Sequence, residues 1–499
     1  MAYPPAPRLV PVPSPPTPCG SFAWLREYAA SNPCCCALLL LFGFLVFLPS
    51  LPLVAEQELP RRVILVSVDG LEPITYIDPE ARQLKVPTLR RLAAEGAYAS
   101  GLIGVLPSVT YPSHTTLITG VTPRLHGIGS NKIFDPQGLS DGSWYWWAED
   151  ILVPTLVSAA EGQHLETASV AWPVSVGLDA DHLLPEFWNP GSQHPNELRL
   201  LDALSSPGLR RAVEGWRDEP FPYPYTDAER LDTALYLTAV QRPELLLLHL
   251  IDTDKASHDE GPGSAHSNRA VEQADARLGQ LLDALKESAL PGQELLFVVA
   301  SDHGFLSIDT RFHPNVVLAE AGLLETDDEG KISSWRVYAH TDAGSAQIWF
   351  QGPGEKELVE HVRELFIPYT QGPDAPLEQI LGADRIRELG GIAESPLVLD
   401  AAEGFTLYDN AAGEKFTPSR SRGTHGYAPD RSGLAASLLI WSPTLKRRGD
   451  LGEVSMTQIA PTIADWLGLS LDPRADDPLD LWSPQTARTP TTAALAAGP

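Results

Sequence analysis

An α/β fold with a mainly parallel central sheet flanked by helices is what the sequence predicts, on three observations. Short, almost uninterrupted apolar runs recur along the chain, and several end in acidic residues. Stretches of helical period separate those runs, and strands alternating with helices pack as a parallel sheet covered on both faces. The chain has 499 residues, 43% of them hydrophobic and 20% charged, which is the composition of a large globular core and not of a disordered or fibrous chain.

Residues 1–55 stand apart from that pattern. Eight prolines fall within the first 18 residues, which favours an extended segment. Cys34 to Leu48 is a run of 15 uncharged residues, CCCALLLLFGFLVFL, followed by Pro49, Ser50, Pro52 and Ala55. It has the form of an export signal, in one of two versions. One is a cleavable signal peptide ending near Ala55; the other is an uncleaved membrane anchor reaching Val54, whose 21 residues just suffice to span a bilayer. Either version sends residues 56 onward across the membrane, into the periplasm or to the cell surface. The four cysteines, Cys19, Cys34, Cys35 and Cys36, all lie in this segment. The rest of the chain therefore has no disulfides or thiolate ligands, and any metal site must be built from His, Asp and Glu. A net charge of −28 excludes nucleic-acid binding through the bulk field.

From residue 56 to 471 the elements of one catalytic domain follow in order. Val63–Val68 reads as a buried parallel strand ending in Asp69-Gly70. Thr88-LRRLAAEG has helical period. Glu244-LLLLHLIDTD repeats the strand pattern and reaches Asp252 and Asp254. Ser267-NRAVEQADARLGQLLDALKES is a long helix, and Glu294-LLFVVASDHG is a third strand reaching Asp302 and His303. Lys356-ELVEHVRELF reads as a helix, Leu434–Trp441 as another buried strand, and Ser455-MTQIAPTIADWLGL as a closing helix. Residues 472–499, rich in Asp, Pro, Thr and Ala, read as a disordered tail.

Sites in open sheets of this kind gather at the C-terminal ends of the strands, where these acids sit. Asp254 and His258 are four apart, so one helical turn puts both on the same face. Asp302 and His303 are consecutive where a strand ends. Asp69 ends the first strand, and His425 stands in Gly423-Thr-His-Gly426, where flanking glycines permit close backbone approach. Three Asp and three His offer six oxygen and nitrogen ligands without thiolate, a set suited to two zinc-like ions sharing a cleft. Two metals about 4 Å apart clamp the attacking and leaving oxygens of a phosphoryl group. The spacing alone leaves open both the pairing of ligands to ions and the nucleophile.

The segments VILVSVDG, SVTYPSHTTLITGVTPRLHGIGSNKIFD, DTDKASHDEGP, ASDHG and GTHGY, in this order, resemble the nucleotide pyrophosphatase/phosphodiesterase family of the alkaline phosphatase superfamily. The resemblance covers residues 62 to 470 and implies an alkaline-phosphatase-like fold. It implies that Asp254, His258 and His425 hold one Zn2+ while Asp69, Asp302 and His303 hold a second. Thr110 matches the family's nucleophile, activated as a ligand of the second ion, and Asn131 matches the donor to a phosphoryl oxygen. The implied reaction cleaves a phosphodiester or pyrophosphate bond of a nucleotide or related small molecule through a phosphothreonine.

Tyr111 stands where the family usually has Phe, and an aromatic there is expected to bind substrate by stacking. Val174 replaces the glycine of the family's Trp-Pro-Gly segment. The cluster Trp144, Tyr145, Trp146 and Trp147 is expected in the core, and His114, His126 and His313 as packing or supporting residues. Two rival functions remain: a phosphomonoesterase of the same superfamily, and a surface binding protein that keeps the fold without turnover. A sulfatase is excluded because the Thr110 region lacks a C/S-x-P-x-R context.

Overall fold

The apolar run after Pro60 becomes the strand Arg61–Val68 (β1), at the centre of an eight-stranded sheet. The computed structural model describes residues 60–139, 144–187, 197–352 and 355–483. The segment 34–55 expected to be a signal or anchor lies outside the described residues, none of which forms a helix long and apolar enough to cross a membrane. The other strands of the sheet are Ala97–Tyr98 (β2), Thr167–Val170 (β3), His182–Leu184 (β4), Leu245–Leu250 (β5), Glu294–Ala300 (β6), Leu438–Trp441 (β7) and Gly449–Asp450 (β8). Their order is β8-β2-β7-β6-β1-β5-β3-β4. Every pairing is parallel except those of β7, which runs against both β6 and β2. The expected mainly parallel sheet is therefore present, with one reversed strand inside it.

Alternation along β1 divides the core into two layers, because successive side chains of a strand point to opposite faces. Ile64, Val66 and Val68 join one cluster with Leu89 and Leu92 of helix α1 (Pro87–Glu95). Val63 and Leu65 join the other, with Leu117 and Ile118 of helix α2 (Thr110–Thr119). Helix α3 (Asp252–Glu260) follows β5 directly, and helix α4 (Ala265–Glu287) lines the first layer. Helix α5 (Ile459–Leu467) packs Ile459, Ile463 and Trp466 into the second layer, opposite α4. Helices on both faces explain why the strands read as unbroken apolar runs and not as alternating patterns.

Between Asp302-His303 and His425 the chain builds a separate antiparallel sheet in the order Val337–Asp342, Ser345–Phe350, Leu397–Ala401, Leu377–Gly382. It meets the segment after α2 through Ser130, whose hydroxyl donates to Asp342 Oδ1 at 2.5 Å, and Gln347, whose Nε2 donates to the Gly129 carbonyl at 2.6 Å.

The tail expectation needs correction for its first residues. Leu481 is fully buried in the second layer, with Trp482 and Leu479 packed beside it. Its carbonyl accepts from the Lys446 and Arg447 amides at 3.0 Å, and the Leu479 amide donates to Thr462 Oγ1 at 2.8 Å. Three apolar side chains outweigh the disorder-prone composition around them. Residues 484–499 lie outside the described residues.

Candidate active site

β1 ends at Val68, and the turn into Leu71 needs Gly70 at φ +67°, where a Cβ would collide with the Phe305 ring. That turn places the Gly70 amide 3.0 Å from Asp302 Oδ1 and so joins the ends of β1 and β6. Asp302 Oδ1 also accepts from the His303 amide at 3.1 Å, which leaves Oδ2 as the free end of the carboxylate. Asp254 and His258 sit one turn apart on α3, as the spacing predicts, with His258 Nε2 3.4 Å from Asp254 Oδ1. His425 arrives from the far side of the inserted sheet. There Gly426 has φ +89°, and a Cβ on it would overlap the Asp342 carbonyl.

All six residues expected to be ligands come together at the C-terminal end of the sheet. The histidines share one orientation. Each turns Nδ1 to a backbone carbonyl: His258 to Gly423 at 2.9 Å, His425 to Ser108 at 3.2 Å, His303 to Gly304 at 3.3 Å. A carbonyl opposite Nδ1 fixes one proton there and leaves Nε2 as the nitrogen open to a ligand. Those Nε2 atoms face carboxylate oxygens: His303 lies 3.1 Å from Asp302 Oδ2 and 3.4 Å from Asp69 Oδ1, and His425 lies 3.6 Å from Asp254 Oδ1. Among the described residues, Asp69 Oδ1, Asp254 Oδ1, Asp302 Oδ2 and His303 Nε2 are buried atoms with no hydrogen-bond partner. Lone pairs turned on one another at such distances repel unless cations lie between them, so the donor set fits bound metal.

Two groups are compact enough to hold one ion each: Asp69 with Asp302 and His303, and Asp254 with His303 and His425. The first is the set implied for the second zinc. The second differs from the implied set, since His303 takes the place of His258. His303 and His425 stack in parallel with centroids 3.5 Å apart, and this brings His303 within reach of both groups, its one Nε2 lone pair serving a single ion.

Electrostatics follow from packing three acids into one cleft. Burial, and then the neighbouring Asp302, Asp254 and Glu186, push the Asp69 carboxyl well above the usual carboxylate range. Burial acts the same way on Asp302, but His303 and the Gly70 amide outweigh it and hold Asp302 low. At the mouth, burial opposes charge on both Asp254 and His258, yet their mutual attraction wins: Asp254 falls to about 2 and His258 rises to about 9. Burial, with His303 and His258 beside it, keeps the His425 ring well below its ordinary value.

Thr110 begins α2 and is the only residue of that helix that is not fully enclosed. Its carbonyl accepts from His114 Nδ1 at 2.7 Å. Asn131 Oδ1 accepts the Tyr111 amide at 2.8 Å, which leaves its Nδ2 as the end that can donate to a ligand. His114 is buried against Trp172 and His249, while His126 bonds Thr116 and His313 bonds Thr417, so these three act as packing and supporting residues.

Tyr111 does not take the stacking role expected of it. It is fully buried beside Trp144 and Trp146, with its hydroxyl 3.3 Å from Glu186 Oε1, so neither ring face is open to a ligand. Of the four clustered aromatics, Trp146 is in the core and Trp147 is exposed. Val174 is held at φ +56°, the left-handed region where its family counterpart is glycine, and is buried in the same cluster as Tyr111.

Three contributors lay outside the expected set. Phe305 packs its ring on His258, His303 and His425 at 5.0, 5.6 and 5.3 Å. His249 and Glu186 lie behind Asp69. His249 carries a legible signal, being the one polar residue in an otherwise apolar strand; Glu186, beyond the end of β4, carries none.

A model of the type I phosphodiesterase/nucleotide pyrophosphatase family matches residues 63–428. Ectonucleotide pyrophosphatase/phosphodiesterase family member 1 of Rattus norvegicus is 27% identical over 257 residues, which are 50% of this chain and 24% of the relative. An uncharacterised pyrophosphatase/phosphodiesterase of Schizosaccharomyces pombe is 26% identical over 315 residues, 58% of this chain and 57% of that one. Venom phosphodiesterase 2 of Crotalus adamanteus is 28% identical over 254 residues, 49% of this chain and 27% of the venom protein. The chain thus spans less than two thirds of the length of these relatives. The solved structure of human ectonucleotide pyrophosphatase/phosphodiesterase 5 superposes with a TM-score of 0.56 at 18% identity, covering 83% of this chain and 96% of that one, a likeness of fold. With the family's match covering helix α2 and all six acid and histidine positions, this chain belongs to the type I phosphodiesterase/nucleotide pyrophosphatase family.

Proposed function

We propose that this protein is an exported hydrolase that uses two zinc ions to cleave phosphodiester or pyrophosphate bonds of nucleotides and related small molecules, through a phosphothreonine at Thr110. The carrying observation is the convergence of histidine Nε2 atoms and partnerless carboxylate oxygens beside the start of α2. The names of the relatives, ectonucleotide pyrophosphatase/phosphodiesterase and venom phosphodiesterase, support the chemistry and the placing of residues 56 onward outside the cytoplasm. Residues 34–55 would then be the signal, or a membrane anchor if uncleaved.

Bound cations at this site supply positive charge to the phosphoryl group and lower the pKa of a hydroxyl or water beside it. Thr110 contributes the nucleophile: its Oγ1 forms a bond to phosphorus as the bond to the leaving oxygen breaks, and its proton passes to solvent. Water then attacks phosphorus and restores the threonine hydroxyl. Asn131, its amide oriented by the Tyr111 N–H, donates from Nδ2 to a non-bridging oxygen. With Tyr111 enclosed, recognition of a nucleobase cannot come from that ring.

The test is a rate comparison on the purified full-length protein with a p-nitrophenyl phosphodiester, p-nitrophenyl phosphate and ATP. Diester and ATP cleavage, the latter to nucleoside monophosphate, should exceed monoester cleavage, vanish with a chelator and return with zinc. Preference for the monoester would move the protein to the phosphatase branch. Zinc uptake without turnover would leave a binding protein.

Metal uptake should also report the His258 proton. Because Asp254 outweighs burial and lifts this ring to about 9, His258 carries a proton at neutral pH, and an ion must displace it. Zinc affinity should therefore rise about tenfold per pH unit up to about pH 9 and level off above it. Titrations in buffers of different ionisation heat measure the released proton; the same affinity at pH 6 and pH 9 would count against His258 as a ligand.

A further inference from the structure

Behind the Asp69 carboxylate runs a chain of buried polar side chains that the reaction above does not use. On β5, His249 faces the α2 layer in register with Ser67 of β1. Its Nε2 lies 3.0 Å from Asp69 Oδ2, and its Nδ1 lies 2.8 Å from Glu186 Oε2 and 3.2 Å from the Ala171 carbonyl. The other oxygen of Glu186, Oε1, accepts from the Tyr111 hydroxyl at 3.3 Å. Arg230 closes the far side, with Nη1 3.7 Å from Glu186 Oε2 and donating to the His249 carbonyl at 3.1 Å. All five side chains are buried.

The arrangement is directional. Two acceptors, a carboxylate oxygen at 2.8 Å and a carbonyl at 3.2 Å, face His249 Nδ1 more closely than the one donor there, Arg230 Nη1 at 3.5 Å, so that nitrogen carries hydrogen and the ring cannot swing. With a second proton lying between His249 Nε2 and Asp69 Oδ2, 3.0 Å apart, Oδ2 is held on His249, and only Oδ1 is left toward Asp302 and His303. At the other end, Tyr111 is the residue after the nucleophile, and its hydroxyl is the atom by which it differs from the phenylalanine usual in the family. That hydroxyl closes the chain.

We propose that His249 and Glu186 are positioning residues that hold Asp69 to ligation through one oxygen and, through the Tyr111 hydroxyl, fix the start of the nucleophile helix against that ligand. The proposal rests on the metal-site reading above. It also accounts for the inward Tyr111: the ring that would otherwise be free to meet a substrate base is tied to the support of the metal site.

The test is cobalt(II) titration of the full-length protein, followed by its visible absorption, beside steady-state kinetics on a p-nitrophenyl phosphodiester. Glu186→Gln and His249→Gln should weaken one of two cobalt sites by about 10- to 100-fold and shift its absorption band. Tyr111→Phe should lower kcat with KM and both cobalt affinities kept, and should have no further effect in the Glu186→Gln background. Folded Gln variants with wild-type cobalt affinities and spectra would overturn the proposal. So would Tyr111→Phe with wild-type kcat, and this variant, which loses one hydroxyl, serves if the others fail to fold. If the wild-type protein binds cobalt but cleaves no diester, the functional reading falls while the cobalt affinities of the Gln variants still decide the support of Asp69.

Discussion

Replacing Thr110 with alanine is expected to lower kcat at least about a thousandfold while both metal sites fill as in the wild type. Thr110 starts α2, and alanine is at least as good a helix former, so the Asn131 contact with the Tyr111 amide should survive the change. The acid and histidine ligands of both compact groups stay in place without the hydroxyl. What disappears is the only atom proposed to bond to phosphorus. A rapid quench with labelled diester should trap label on the wild-type chain and none on Thr110→Ala. A variant with a tenth of wild-type turnover, by ordinary kinetic reckoning, would mean that water attacks directly and that no covalent intermediate is required.

His303→Ala is expected to remove both ions, not one. His303 belongs to both compact groups, so its loss removes the nitrogen ligand of one ion directly, and because its ring stacks on His425 it also frees the ligand of the other to turn. His258→Ala, outside both groups, should weaken one site by about 10- to 100-fold and spare the other. Metal analysis after dialysis separates the outcomes. If His303→Ala keeps one ion at wild-type affinity and His258→Ala loses one, the pairing implied by the family resemblance holds and the sharing of His303 does not.

Much of this site was legible because its chemistry sits where hydrophobic pattern meets strand end. Val63–Val68, Leu245–Leu250 and Glu294–Ala300 had to be buried on both faces, and their acids then had to lie at one edge of the sheet. The helical spacing of Asp254 and His258 survived intact on α3. Direction was not legible for β7, since a short apolar run looks the same in either sense and its partners β6 and β2 are set by the whole topology. The inserted sheet was hidden for another reason: its buried strands carry polar residues such as His340, Asp342, Ser345 and Gln347, which break up any apolar run. Tyr111 misled because a side chain's exposure depends on what covers it: Trp144 and Trp146 come from a segment more than thirty residues downstream. Leu481 shows the converse, a single apolar anchor fixing a stretch whose composition argues for disorder.

The order of the strands in space also sets when the site can form during synthesis of the chain. β1 leaves the ribosome early but pairs only with β5 and β6, and β6 in turn waits for β7 from Leu438–Trp441. His425 precedes β7 by only a short stretch, so the last ligand and the strand that flanks β6 emerge almost together. Contacts between such distant segments are the slow part of folding, and until they form the growing chain carries unpaired strand edges and clustered acids with nothing to bind. A chain that stops before Trp441, whether by a premature stop codon or a protease, should therefore be no weakened hydrolase but an inert, aggregation-prone fragment. The proposed activity therefore has to wait for the segment that holds His425 and β7.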